Sequence, residues 1–400
     1  MPLMRARHLD RSGEISISIN LNNMTQIKPS LGIYIHIPFC KSRCIYCDFV
    51  SSVDDCSQRD KYVEYLCRQI RLASEDFSDK YTVDTIYFGG GTPTLLDDKQ
   101  FDLISKEIFK RFHCALKEFS VEANPCTIDR EKLIALKNIG VTRLSIGVQS
   151  FNDGLLKMLG RRHDAKRAED AIRLAVELGF DVSVDAMIGL PNQTKADVKD
   201  FIDRADMLGV EHISVYMLSV EDGTRLKSLI DQGKLIAKSD DQLADLYEYA
   251  CLCLKEHNFQ RYEISNFCKN QKLSHHNLRY WQRLDYLGLG MGAHSLTSDE
   301  RWNNSDNFKE YYDGIDKGDY RRNIQKLSKE DVESEYIMLA FRLQKVIQLS
   351  EFNMNLGENF FMKYSKAIEK NLEFLEVTST SVAIKDKYLQ LMNSIIVDFI

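Results

Sequence analysis

Cys40, Cys44 and Cys47 lie within the run Tyr34-Ile-His-Ile-Pro-Phe-Cys-Lys-Ser-Arg-Cys-Ile-Tyr-Cys-Asp48. Thiolates crowded this closely are soft ligands that select zinc or an iron–sulfur cluster, and a cubane held by three cysteines keeps one iron free for an outside ligand. An open coordination position implies chemistry rather than scaffolding. Two plainer readings stand beside this one. Spaced at i, i+4 and i+7, the cysteines would share one face of a helix as small packed hydrophobes. Pro38 and the polar Lys41-Ser42-Arg43 suit a loop after a strand better than a core helix. A structural zinc site completed by His36 is the other reading, although His36 alternates with Tyr34 and Pro38 in an apolar run and would also pack well there.

A second unusual segment is Gly89-Gly90-Gly91-Thr92-Pro93, which closes an apolar run. Consecutive glycines let backbone carbonyls and amides approach a small charged group closely. No Lys-Ser/Thr pair follows, so this is not a phosphate loop of the usual kind. Polar residues punctuate the later runs: Glu122 and Asn124 in Val-Glu-Ala-Asn-Pro, Gln149 in Ser-Ile-Gly-Val-Gln-Ser, Arg161 just beyond, and Asp185 in Val-Ser-Val-Asp-Ala. An unpartnered polar group inside an apolar strand costs a few kcal/mol, so each needs a structural neighbour or a ligand. Several on successive strands favour a bound polar cofactor.

The elements that carry these residues have a clear rhythm. Short β-branched runs at 33–37, 84–88, 119–123, 143–148, 181–188 and 212–218 alternate with helical periodicity. Between Asp164 and Gly179, one stripe is formed by Ala168, Ala171, Ile172, Ala175 and Val176. Thr194 with Asp197 opens another helix. Six β-α repeats imply parallel strands, fewer than a closed eight-stranded barrel needs, so an open or partial barrel is expected. Its ligands would sit at the C-terminal rim, where the cysteine and glycine loops emerge. We expect an N-terminal extension over 1–30, with Met24 as an alternative start, and a core barrel over 31–260. A connecting segment over 261–325 and a C-terminal domain over 326–400 follow. The last domain opens at Ser328 with Asp331 as a capping pair. It continues through an amphipathic stretch at 356–372 and the strand Ser381-Val-Ala-Ile384, a winged-helix-like pattern. As a packing or lid domain it is not basic enough for DNA readout.

Composition bounds the function classes. The 400 residues are 44% hydrophobic, ample for a large core, and the net charge of -6 argues against nucleic acid as a main partner. Ten cysteines are too dilute for a disulfide scaffold, and the tight trio requires reduced thiols, so a cytoplasmic location is expected. No run is long enough for a membrane span. Cys56, Cys67, Cys114, Cys126, Cys251 and Cys253 lack metal spacing and are expected to pack.

The Cys-x3-Cys-x2-Cys loop followed by Gly-Gly-Gly-Thr-Pro resembles the radical S-adenosylmethionine (SAM) superfamily, and residues 31–400 resemble its HemN/HemW branch. The resemblance implies an α/β fold, a partial (β/α)6 barrel with a C-terminal helix-rich, winged-helix-like domain. It implies that Cys40, Cys44 and Cys47 hold a [4Fe-4S] cluster whose fourth iron is chelated by SAM, to which an electron donor would supply one electron. Tyr34, Gly90, Gly91, Thr92, Glu122, Gln149, Arg161 and Asp185 match positions at which HemN-type proteins contact SAM. The last three belong to a second SAM molecule in the coproporphyrinogen enzyme. The oxidases of this branch carry a fourth cysteine where Phe49 stands here, a departure that favours the haem-chaperone side. His276-Asn277-Leu278-Arg279-Tyr280-Trp281 matches the His-Asn-x-x-Tyr-Trp motif of those chaperones. On chemistry alone, His276 offers an axial imidazole for haem with aromatic walls, or a polar turn packed on the barrel. Cys268, His275 and His294 are rival ligands. The function so implied is binding haem and passing it to an acceptor protein; the alternative is an oxygen-independent coproporphyrinogen III oxidase.

Overall fold

The computed structural model describes residues 28–343, 347–357 and 359–400. Residues 1–27, which hold most of the expected extension and Met24, lie outside them. Strands Ser30–Ile37 (β1), Thr82–Gly90 (β2), Cys114–Ala123 (β3), Arg143–Gln149 (β4), Asp181–Ile188 (β5) and His212–Met217 (β6) are parallel neighbours in sequence order. These are the six expected runs.

Alternation along each strand explains how the layers form. Leu31, Ile33, Ile35 and Ile37 of β1, Phe119 and Val121 of β3, and Leu144, Ile146 and Val148 of β4 are buried on one face. They share a core with helix residues such as Leu66, Ile70, Phe101, Ile104, Ile172 and Phe201. Burying each such side chain is worth roughly 1.5–3 kcal/mol, which fixes strand register, because a one-residue slip would turn every one of them over. The opposite face is polar. Cross-strand register there aligns Gly32, Thr85 and Glu118, then Tyr34, Tyr87, Ser120 and Arg143, then His36, Gly89, Glu122, Ser145, Ser183 and His212. A sheet whose inner face is this polar is built to hold polar groups rather than to be filled by aliphatic layers.

The helices begin and stop where local chemistry dictates. Thr194 and Asp197 form a capping box on Lys195–Met207, as Ser239 and Gln242 do on Asp240–Glu256. Asp164 caps Ala165–Glu177 through the Arg167 amide.

Residues 261–325, expected as a connecting segment, are woven into both edges of the sheet. Asn266–Cys268 (β7) pairs antiparallel with β6, and Tyr286–Leu289 (β8) pairs parallel with β1 on the other side. The antiparallel strands His294–Thr297, Glu300–Asn303 and Arg322–Lys326 extend that edge, and Gln260–Arg261 pairs antiparallel with β7 at the other, making a sheet of twelve strands among the described residues. The run Leu287-Gly-Leu-Gly290 has no β-branched residue, and so gave no strand signal.

The C-terminal region has its own core, including Ile337, Phe341, Phe352, Phe360, Val382 and Phe399. Ser328 and Asp331 form the expected capping box on Lys329–Arg342. Ser381–Ile384 lies between Ile347–Gln348 and Leu375–Val377 in an antiparallel sheet, in keeping with a helix-rich, winged-helix-like unit. The stretch 356–372 is two short helices, Phe360–Lys363 and Ser365–Lys370, rather than one. Gly357 in the left-handed region ends the preceding helix, and Tyr364 leaves helical geometry while packing on Phe360 and Phe399. Glu335 ties this unit to the barrel through Arg283 and Arg301. Among the described residues no helix is long and apolar enough to cross a membrane. All cysteines are free, and Cys56 and Cys126 are exposed rather than packed. Each sits at a helix or turn start, where no core lies beneath it.

Candidate metal centre

The cysteine loop leaves β1 and is strapped down at both ends. Phe39–Cys40 pairs with Ser52–Val53, and the Asp54 amide donates to the Cys40 carbonyl at 2.9 Å. Midway, the Ile45 amide donates to the Leu159 carbonyl at 3.2 Å while the Leu226 amide donates to the Ile45 carbonyl at 2.8 Å. Ile45 packs with Leu155, Leu159, Met187, Leu190, Leu218 and Leu226. A loop from the first strand is thereby seated on loops that follow β4, β5 and β6, so it spans the C-terminal rim. This side chain holds the loop in place; the cysteines flanking it stay half-exposed and free.

Each end of the thiol trio has a donor. Thr92 Oγ1 lies 3.6 Å from Cys40 Sγ, and Arg161 Nη1 lies 3.5 Å from Cys44 Sγ. Burial pushes the Cys40 thiol up, with Thr92 and Arg161 pulling the other way. Burial also raises Cys47. Among the described residues no three His, Cys, Asp or Glu side chains converge closely enough to hold an ion as they stand. His36, the rival zinc ligand, is engaged elsewhere: Nδ1 meets Tyr34 Oη at 3.0 Å and Nε2 meets the Val50 carbonyl at 2.8 Å.

The glycine run turns beside this loop. Gly91 N donates to the Ile37 carbonyl at 2.8 Å, tying the two loops together. Gly90 has φ +108°, and a Cβ there would fall 2.4 Å from the His36 ring. Both strain and overlap therefore exclude a side chain. Gly90 N instead donates to Glu122 Oε2 at 3.0 Å, and Tyr87 Oη donates to Oε1 at 2.9 Å. Tyr34 stacks on Tyr87 at 6.1 Å between ring centroids.

Two recessed carboxylates face this polar interior. Burial raises Glu122 to about 7, opposed by its bonds from Tyr87 and Gly90. Burial likewise raises Asp185 to about 6, opposed by Ser214, Ser145 and Arg161. Ser145 Oγ donates to Asp185 Oδ1 at 3.1 Å. Arg161 reaches back to the Gly147 carbonyl through Nη2, and its buried Nε has no partner. Gln149 is held at φ +68° where β4 ends. Asn124, by contrast, is structural: its side chain accepts from the Cys126 amide and caps a turn.

His276 is placed differently from the haem ligand expected of it. It is wholly buried, with Nδ1 2.9 Å from Thr85 Oγ1 and Nε2 2.9 Å from Tyr280 Oη. Burial lowers its pKa to about 3. The motif helix His275–Trp281 sits under the polar face of the sheet, at the end of the strands away from the cysteine loop. Glu118 fixes its start, accepting from the amides of His275 at 2.7 Å and His276 at 3.2 Å. Arg279 lies against Gly32, where a Cβ would come within 2.4 Å of its side chain, and is paired with Asp84. A haem iron reaches His276 only by unmaking this network. Of the rival ligands, Cys268 is buried, while His275 and His294 are exposed.

Residues 34–205 match the radical SAM superfamily model. The chain is 37% identical to the Bacillus subtilis heme chaperone HemW over 82% of its own length and 87% of that protein's. It is 31% identical to the Lactococcus lactis heme chaperone HemW over 92% and 96%. The chain belongs to the HemW family of radical SAM proteins. In fold, this HemW-family chain superposes on Escherichia coli coproporphyrinogen III oxidase, HemN, with a TM-score of 0.82 at 23% identity, covering 93% of this chain and 90% of that one.

Radical SAM membership implies a [4Fe-4S] cluster and SAM, and the donor set of this HemW-family chain fits both. Three free thiols offer the sulfur ligands, with Thr92 and Arg161 placed as hydrogen-bond donors to sulfur. A side-chain-free glycine run, two recessed carboxylates and an unpartnered Arg161 N–H offer what a zwitterionic, cationic cofactor needs. Sequence reading missed Tyr87 and Thr85, which orient this face. Their signal was present: both lie two-residue steps back from Gly89, on the same side of β2.

Proposed function

We propose that this chain is a haem chaperone, binding haem and delivering it to an acceptor protein. The observation that carries it is 31–37% identity to proteins named heme chaperone HemW over most of the chain. Phe49, exposed on the cluster loop where the oxidases place a fourth cysteine, supports it. Cys40, Cys44 and Cys47 are assigned to the cluster, and Tyr34, Gly90, Gly91, Thr92, Glu122, Gln149, Arg161 and Asp185 to SAM. When bound, the cluster supplies a low-potential electron beside the sulfonium. The chain's own residues do the rest. The glycine run gives backbone access, Glu122 and Asp185 supply negative charge, and the Ile45 seat holds the loop over the rim. The haem ligand is assigned to an exposed imidazole, His275 or His294, in place of His276. A reducing cytoplasm suits the three free thiols.

Reconstituted protein incubated without oxygen with SAM, reductant and either haemin or coproporphyrinogen III tests this. Stable haem uptake with no protoporphyrinogen formed is expected. Turnover of coproporphyrinogen would select the oxidase instead.

A further inference from the structure

We infer that the His-Asn-x-x-Tyr-Trp helix is a positioning element for the SAM face of the barrel: His276 holds Tyr87, and Tyr87 holds Glu122. The inference rests on the assignment of Glu122 to SAM and goes beyond it by giving the motif a different task from haem ligation.

The chain of contacts is continuous. Glu118 accepts four hydrogen bonds, from Ser120 Oγ, Ser274 Oγ and the amides of His275 and His276, and so pins the start of the motif helix to β3. Thr85 and Tyr280 then bond the two nitrogens of His276 and lock its ring. That ring stacks on Tyr87, with centroids 5.1 Å apart and planes 24° apart. Tyr87 also stacks against Tyr34, and its hydroxyl donates to Glu122 Oε1. Glu122 completes the chain through the Gly90 amide, in the glycine run that is tied to the cysteine loop by Gly91 and Ile37.

Alternatives for this helix fit less well. A ligand to metal or haem must offer a free nitrogen, and His276 has none. A purely structural plug would need no link to the cofactor face. The motif instead spends His276, Tyr280 and Tyr87 on a directional stack whose free end is a carboxylate facing the rim. The Tyr34 and His276 rings stacked on Tyr87 and the bond from its hydroxyl to Glu122 set its angle, so the carboxylate has one preferred orientation.

The test compares wild type with Tyr87→Phe, His276→Phe and the milder Tyr280→Phe, each reconstituted without oxygen. Iron and sulfide content, the far-ultraviolet spectrum, SAM affinity by equilibrium dialysis and haem affinity are measured on each. All variants are expected to keep cluster content and haem affinity. Tyr87→Phe and His276→Phe are expected to weaken SAM about tenfold, the effect of one lost hydrogen bond to a charged group. Tyr280→Phe is expected to do so less. His276→Asn, which can still bond Thr85, is expected to recover part of the loss. Unchanged SAM affinity in folded Tyr87→Phe and His276→Phe overturns the inference. Loss of haem with SAM binding intact overturns it too and restores His276 as the haem ligand. Wild type that binds no SAM instead removes the assignment on which it rests.

Discussion

The two ends of the polar face contrast in how completely they satisfy themselves. At the base, His276 has both nitrogens bonded, Glu118 accepts four hydrogen bonds, and Arg279 is paired with Asp84 and the Ser30 and Asp285 carbonyls, leaving only its Nε unpartnered. At the rim, the cysteines are free, burial holds the pKa values of Glu122 and Asp185 up, and Arg161 keeps a buried N–H without a partner. The base spends its bonds on holding the motif helix and Tyr87, whereas the rim leaves thiols and carboxylates for a ligand. The difference separates motif residues that look alike in sequence, since His276 and Glu122 are both polar groups in apolar surroundings.

Substitutions at the two ends should therefore fail in opposite ways. Asp84→Asn leaves the Arg279 guanidinium buried without its counter-charge, which is expected to cost about 3–5 kcal/mol of stability, read by urea unfolding. Glu122→Gln removes a carboxylate that burial already disfavours. It is expected to change stability by less than about 1 kcal/mol while weakening SAM about tenfold or more. Equal destabilisation by both would erase the contrast.

A smaller effect sharpens it. The groups facing Glu122 are Tyr34, Tyr87, Tyr216, Tyr280 and Asp185. Burial raises all four phenols, so they stay neutral near pH 7. Glu122, raised to about 7, is half-protonated there. Its ionised form predominates above that pH and favours a cofactor of net positive charge. SAM affinity is expected to climb a few-fold from pH 6 to 8, and in Glu122→Gln to keep only the shallower rise that Asp185, raised to about 6, contributes. A flat wild-type profile would show that Glu122 does not face the cofactor.

Much of this was legible in sequence, for reasons tied to particular residues. The six parallel strands announced themselves because β-branched runs recur between capped helices, and the Thr194–Asp197 and Ser328–Asp331 boxes marked helix starts directly. The cysteine loop was legible because Pro38 and three polar residues forbid a core helix. β8 was not, since its glycines and leucines carry no strand propensity and its pairing with β1 is set by tertiary contact. The role of His276 was hidden for a related reason. Its partners Thr85 and Tyr87 are about 190 residues away in sequence, and nothing local distinguishes a satisfied histidine from a ligand.

Electron paramagnetic resonance of dithionite-reduced, oxygen-free protein, recorded with and without SAM, bears most directly on the cluster. A [4Fe-4S] signal that shifts when SAM is added, and that vanishes in Cys40→Ser, Cys44→Ser and Cys47→Ser, is the expected result. Stoichiometric zinc without iron, or a cluster signal indifferent to SAM, would contradict the assignment of the rim.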